Sequence, residues 1–130
     1  MKGCTLKLGN KTKGLEFTYT MSNMGYYEFT FKLFLKNKSV DYALHSRYLD
    51  DQKFIANLKI FDGNFISYNF SGEVLLDIEI TNQHINIYTA EWEDETEYDF
   101  DVEYPLNEKD LKKLQKFIKQ MNEVDNEIDN

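Results

Sequence analysis

Apolar and polar residues alternate along most of the chain. Leu15, Phe17, Tyr19 and Met21 share one parity, with Glu16, Thr18 and Thr20 on the other. Successive side chains of a strand point to opposite faces, so this pattern predicts a half-buried strand. Ser22-Asn23-Met24-Gly25 reads as a turn, after which Tyr27, Phe29, Phe31 and Leu33 repeat the alternation. Val40, Tyr42 and Leu44 start another strand that runs into an unpatterned loop at 45–51. Phe54, Ala56, Leu58 and Ile60 predict a further strand. Asp62-Gly63, which suits a type I′ turn, predicts its hairpin to residues 65–70. Val74, Leu76, Ile78 and Ile80, then Ile85 and Ile87, then Tyr98, Phe100, Val102 and Tyr104 complete the alternating set.

Turns this short join antiparallel neighbours, because parallel pairs need a long crossover. The expected fold class is therefore α+β: an antiparallel β-meander of about seven strands with one amphipathic C-terminal helix packed on it. The helix is read from Leu111, Leu114, Phe117, Ile118 and Met121 at helical spacing. Asn107 is its expected N-cap, with Asp110 three residues on, and Pro105 stops the strand before it. Residues 1–122 are read as one domain and 123–130 as an acidic tail, with no internal repeat.

Composition adds little to the fold and something to the setting. The 130 residues match the usual size of one domain, and ten Phe and nine Tyr against one Pro favour strands. No apolar run nears the roughly 20 residues of a membrane span, and Met1–Leu6 lacks the apolar stretch of a signal peptide. Cys4, the single cysteine, has no partner in the chain for a disulfide, so a cytoplasmic location is expected.

Charge changes the picture more. Residues 1–60 carry ten Lys/Arg and five Asp/Glu, whereas residues 61–108 carry thirteen Asp/Glu and no Lys or Arg. Glu91 to Tyr104 alone hold eight carboxylates in fourteen residues. By alternation Glu97, Asp99, Asp101 and Glu103 share one strand face, about 6.6–7 Å apart, a spacing comparable to phosphates along a DNA strand. Glu73, Asp77, Glu79 and Glu91 are expected to extend the patch. Like charges facing one another cost stability, so a chain that keeps them unrelieved is expected to use them.

Other chemistry is hard to find. His45, His84 and Cys4 fit no metal-ligand spacing, and Asp99 with Asp101 falls short of the oxygens a calcium site needs. No Gly-x-Ser-x-Gly elbow and no phosphate-cradling glycine loop occurs. Lys7, Lys11, Lys13, Lys32, Lys36 and Lys38 with Tyr26 and Tyr27 offer a basic aromatic segment, but a net charge of −8 opposes nucleic-acid binding.

The expected function is that of a non-enzymatic, protein-binding inhibitor without cofactor or metal. It sets its acidic face, as a DNA mimic, on a basic nuclease or other nucleic-acid-binding effector. In size, charge and fold class it resembles toxin-immunity proteins and phage anti-defence inhibitors of the anti-CRISPR type. The partner-binding residues are expected to be Glu91, Trp92, Glu93, Asp94, Glu95, Glu97, Tyr98, Asp99, Asp101 and Glu103, the aromatics being typical of interface hot spots. Neither nucleic acid nor membrane is an expected partner. The alternatives are a small-ligand-binding β-sheet domain with an aromatic pocket and a structural module that homodimerises through edge strands.

Overall fold

The computed structural model describes residues 2–72, 74–93 and 96–129, without the side chains of Trp92, Glu93, Glu97, Tyr98 and residues 127–129. Eight strands and two helices follow in the order β1 (Lys2–Gly9), β2 (Lys13–Met21), β3 (Tyr27–Leu35), β4 (Lys38–His45), α1 (Leu49–Lys59), β5 (Ile66–Ser71), β6 (Val74–Ile80), β7 (His84–Glu93), β8 (Thr96–Pro105) and α2 (Glu108–Asp129). The α+β class and the antiparallel pairing agree with the sequence. The single seven-strand meander does not, because there are two four-stranded sheets, β1-β2-β3-β4 and β5-β6-β7-β8. The order of elements thus repeats, four antiparallel strands and a helix, without a repeat in sequence.

The difference arises at residues 49–60. Their alternation at 54, 56, 58 and 60 is incidental, since Ala56 is exposed and Ile60 is 78% exposed. The residues that bury are Asp51, Phe54, Ile55 and Leu58, at the i, i+3, i+4, i+7 spacing of one helix face. Asp50 and Asp51 in the first turn and Lys59 in the last suit the helix dipole. Asp62-Gly63 then links helix to strand rather than two strands. Asp62 Oδ1 accepts the Asn64 N–H at 3.1 Å, and Gly63 takes φ +108° with the Asn82 side chain filling the space a Cβ would need. The type I′ hairpin lies elsewhere, at Lys36 and Asn37, both with positive φ (53° and 66°) between β3 and β4. The strand that alternation had not revealed is β1, whose Leu6 and Leu8 face inward.

Register gives each sheet an apolar inner face. Across the first sheet, Leu6, Phe17, Phe31 and Tyr42 form one rung and Leu8, Leu15, Leu33 and Val40 the next. Across the second, Tyr68, Ile78, Ile87 and Val102 form a rung beside Ile66, Ile80, Ile85 and Tyr104. The first sheet's inner face receives α2 over β1 and β2, and the β8 side of the second sheet over β2 and β3. Phe117 of α2 lies 6.3 Å from Phe17 and 6.2 Å from Phe29, which also meets Phe54 of α1 at 6.0 Å.

Helix α2 starts where its cap was expected, with Asn107 Oδ1 accepting the Asp110 N–H at 2.8 Å. It continues through residues 123–129, read from sequence as a tail. Val124 is buried, and Asp125 accepts the Tyr19 hydroxyl at 2.6 Å and pairs with Lys59 at 2.7 Å. The Lys59 ammonium sits 4.8 Å over both the Tyr19 and Tyr27 rings, so one cation ties α1, α2 and the first sheet together. Burial, then the Asp125 carboxylate, pushes the Tyr19 hydroxyl far above its ordinary pKa.

These contacts set an expected contrast in chemical denaturation. Phe117→Ala should lose about 3–5 kcal/mol, as for a large aromatic removed from a closed core. Ile60→Lys should stay within about 0.5 kcal/mol, because an exposed helix-end residue buries nothing. A strand at 54–60 would make Ile60→Lys costly, so a large loss there would refute the helix.

Candidate functional site: the acidic face of the second sheet

The outer parity of the second sheet can be read off its register. Asn69, Asp77, Tyr88 and Asp101 form one row, Ser67, Glu79, Asn86 and Glu103 the next, and Ser71, Leu75, Ala90 and Asp99 a third. No Lys or Arg stands in these rows. The expected alignment of Asp99, Asp101 and Glu103 on one face of β8 is thus present, and all three are exposed. Asp77 and Glu79 of β6 continue the charge two strands away. Between them lies a shallow depression of about 420 Å³ lined by Ser67, Asn69, Asp77, Glu79, Tyr88, Asp101 and Glu103.

The electrostatics are those of crowded like charges. Partial burial, then the Glu103 and Asp99 carboxylates on either side, push the Asp101 carboxyl above the usual Asp range. Glu79 is relieved by His84, whose Nε2 lies 2.7 Å from Glu79 Oε1. At the Glu103 end a cation of the other sheet approaches: Lys13 shares a small dent with His84, Asn86, Glu103 and Pro105. The first sheet's outer face is built differently. Its row Lys7–Glu16–Lys32–Asp41 alternates in sign strand by strand, which neutralises charge locally.

The other expected site residues divide. Glu91 is exposed but lies on the opposite parity of β7, where its carboxylate accepts the Tyr42 hydroxyl at 2.9 Å. That bond joins the two sheets and takes Glu91 off the outer face. Burial raises the Tyr42 pKa, partly offset by the Thr89 hydroxyl, and Glu91 adds to the rise. Trp92 pairs with Glu97, Glu93 with Thr96 and Glu91 with Tyr98 in the β7–β8 ladder, which places the backbones of Trp92, Glu93, Glu97 and Tyr98 at the far end of this face. Asp94, Glu95 and Glu73 lie outside the described residues. The residues that sequence reasoning had not linked to the site are Tyr88 and Asn86, whose signal was only their parity in β7.

Among the described residues no group of three or more His, Cys, Asp or Glu is placed to hold a metal ion. Burial and the charges of Asp125 and Glu123 push the Cys4 thiol up to about 11, so at neutral pH it stays protonated and a weak nucleophile. His45 Nδ1 lies 3.3 Å from Glu28 on the first sheet, away from the acidic face. No described helix is long and apolar enough to cross a membrane.

The raised Asp101 carboxyl fixes a sign. A carboxyl whose folded pKa exceeds its unfolded one holds extra protons when folded. It therefore favours the folded state as pH falls, and opposes it once ionised above the folded pKa. Asp101→Asn should raise the melting temperature at pH 7 and lose that advantage as pH falls through the carboxylate range. An equal gain at both pH values would show that charge crowding is not the cause. Comparison with protein-family models, curated proteins and solved structures gives no significant match, so this face has to be interpreted from its own chemistry.

Proposed function

We propose that this chain is a non-enzymatic inhibitor that docks the acidic outer face of its second sheet on the basic, nucleic-acid-binding surface of another protein. The observation that carries the reading is the exposed row Asp99, Asp101 and Glu103 on β8, continued by Asp77 and Glu79, with no Lys or Arg on that face. Adjacent carboxylates of β8 stand about 6.6–7 Å apart, two strand rises, on the scale of successive phosphates. A rigid sheet presents them without the ordering cost that flexible acidic segments bear. A partner that evolved to hold a phosphate backbone would meet a comparable charge pattern, and its own substrate would be excluded.

Such an interface behaves in a defined way. Complementary charge speeds encounter and makes association sensitive to ionic strength, because exposed pairs are screened over about 8 Å at physiological salt. The partner would be a nuclease or nucleic-acid-binding effector, in the manner of immunity and anti-defence inhibitors. A pull-down from the native host's lysate at low and high salt tests the reading. One basic partner should be retained at low salt, released at high salt, and lost with the triple change Asp99→Lys, Asp101→Lys and Glu103→Lys. Retention of the same partner by the charge-reversed chain would overturn it, as would the absence of any salt-sensitive partner.

A further inference from the structure

A second concavity lies away from the acidic face, at the mouth between β4 of the first sheet and β5 and β6 of the second. It measures about 630 Å³, within the usual range of small-molecule sites. Four rings line it: Tyr42 of β4, Tyr48 just before α1, and Tyr68 and Phe70 of β5. Phe70 is 49% exposed, so part of this aromatic wall faces solvent. Asp50 and Asp51 of the first turn of α1 join apolar residues such as Leu49, Val74 and Leu76 in the lining, which contains no Lys or Arg.

Asp51 is the unusual member. It is only 5% exposed, yet among the described residues no Lys or Arg stands within ion-pair distance of it. Its Oδ1 accepts the Tyr68 hydroxyl at 2.7 Å and its Oδ2 accepts the His45 N–H at 2.9 Å. Both donors are neutral. They satisfy its hydrogen bonding, so the buried carboxyl group sits beside the aromatic walls with neutral donors as its hydrogen-bond partners. The chain's single arginine, Arg47, stacks 5.0 Å over the Tyr48 ring and is not part of the lining.

We propose that this cleft binds a small organic ammonium, an amine carried on an aromatic or aliphatic body. The ring faces attract a cation through their quadrupoles, the buried carboxylate offsets its desolvation, and the apolar walls take the body. An anion of the same shape would meet two carboxylates and be rejected. The site is independent of the proposed inhibitory face and does not require it.

Amide ¹⁵N–¹H spectra of the full chain, titrated with phenethylamine, 2-phenylethanol and phenylacetate, test the assignment. Phenethylamine should give saturable shifts at Ala43, Leu44 and Phe70, the alcohol weaker ones and the acid none. Asp51→Asn should weaken phenethylamine binding about tenfold, the loss expected for one charged hydrogen bond. Phe70→Ala, a change at a half-exposed rim residue, should weaken it while leaving the rest of the spectrum intact. The triple charge reversal on β8 should leave amine binding unchanged, which separates this site from the acidic face. Equal shifts with all three compounds would overturn the proposal, as would shifts confined to residues 99–103 or no saturation at all. Tighter binding of acetyl-Leu-Lys-Leu-amide than of the free amine would overturn the small-ligand assignment in favour of a protein segment.

Discussion

A four-stranded sheet with rings on successive rungs of one face cannot leave that face in water, and the rest of this molecule is arranged around covering it. Phe17 and Phe29 stand at its centre, 5.2 Å apart. Phe117 arrives from α2 and Phe54 from α1, while β8 brings the second sheet against β2 and β3. No single element is wide enough for the task, so both helices and the second sheet are committed to it. Burying a side chain of this kind contributes on the order of 2–3 kcal/mol, which makes the aromatic centre the dominant stabilising feature. The Lys59–Asp125 pair with Tyr19 and Tyr27 adds position more than energy, since it sits where three elements meet at the edge of that core.

The same constraint explains what was legible in the sequence. Strands with one apolar face announce themselves by period two, and β2, β3, β6 and β8 did so. The first helix did not, because Phe54, Ala56, Leu58 and Ile60 fit period two while Asp51, Phe54, Ile55 and Leu58 fit the helix. Buried Ile55, exposed Ala56 and Ile60, and the buried Asp51 decide for the helix, and a buried aspartate is what a sequence pattern marks as outward-facing. Asp62-Gly63 is ambiguous in the same way, since its positive-φ tolerance serves a helix-to-strand link as well as a hairpin. With a helix inserted there, one meander becomes two sheets. The first strand is faint in the sequence because its apolar positions, Cys4, Leu6 and Leu8, are few and interspersed with lysines.

The candidate site divides along the same line. Asp99, Asp101 and Glu103 were readable because a strand's parity is a local property. Glu91 was not, because its role depends on Tyr42 from another sheet, a neighbour that no local pattern reveals. The two outer faces also show that charge segregation in sequence has a spatial meaning. Lys7, Glu16, Lys32 and Asp41 cancel across the first sheet, whereas the strands of the second sheet carry no Lys or Arg to cancel with. Antiparallel neighbours that come from one charge-biased segment inherit its bias.

All six strand pairings join strands that follow one another in the chain. Every backbone ladder therefore closes over a short loop, at small entropic cost, and each half of the chain can assemble its own hydrogen-bond network. What remains is the meeting of two surfaces, made mainly through side chains. The slow event in the life of this fold is thus expected to be a docking step between halves, and the search for strand partners should be brief.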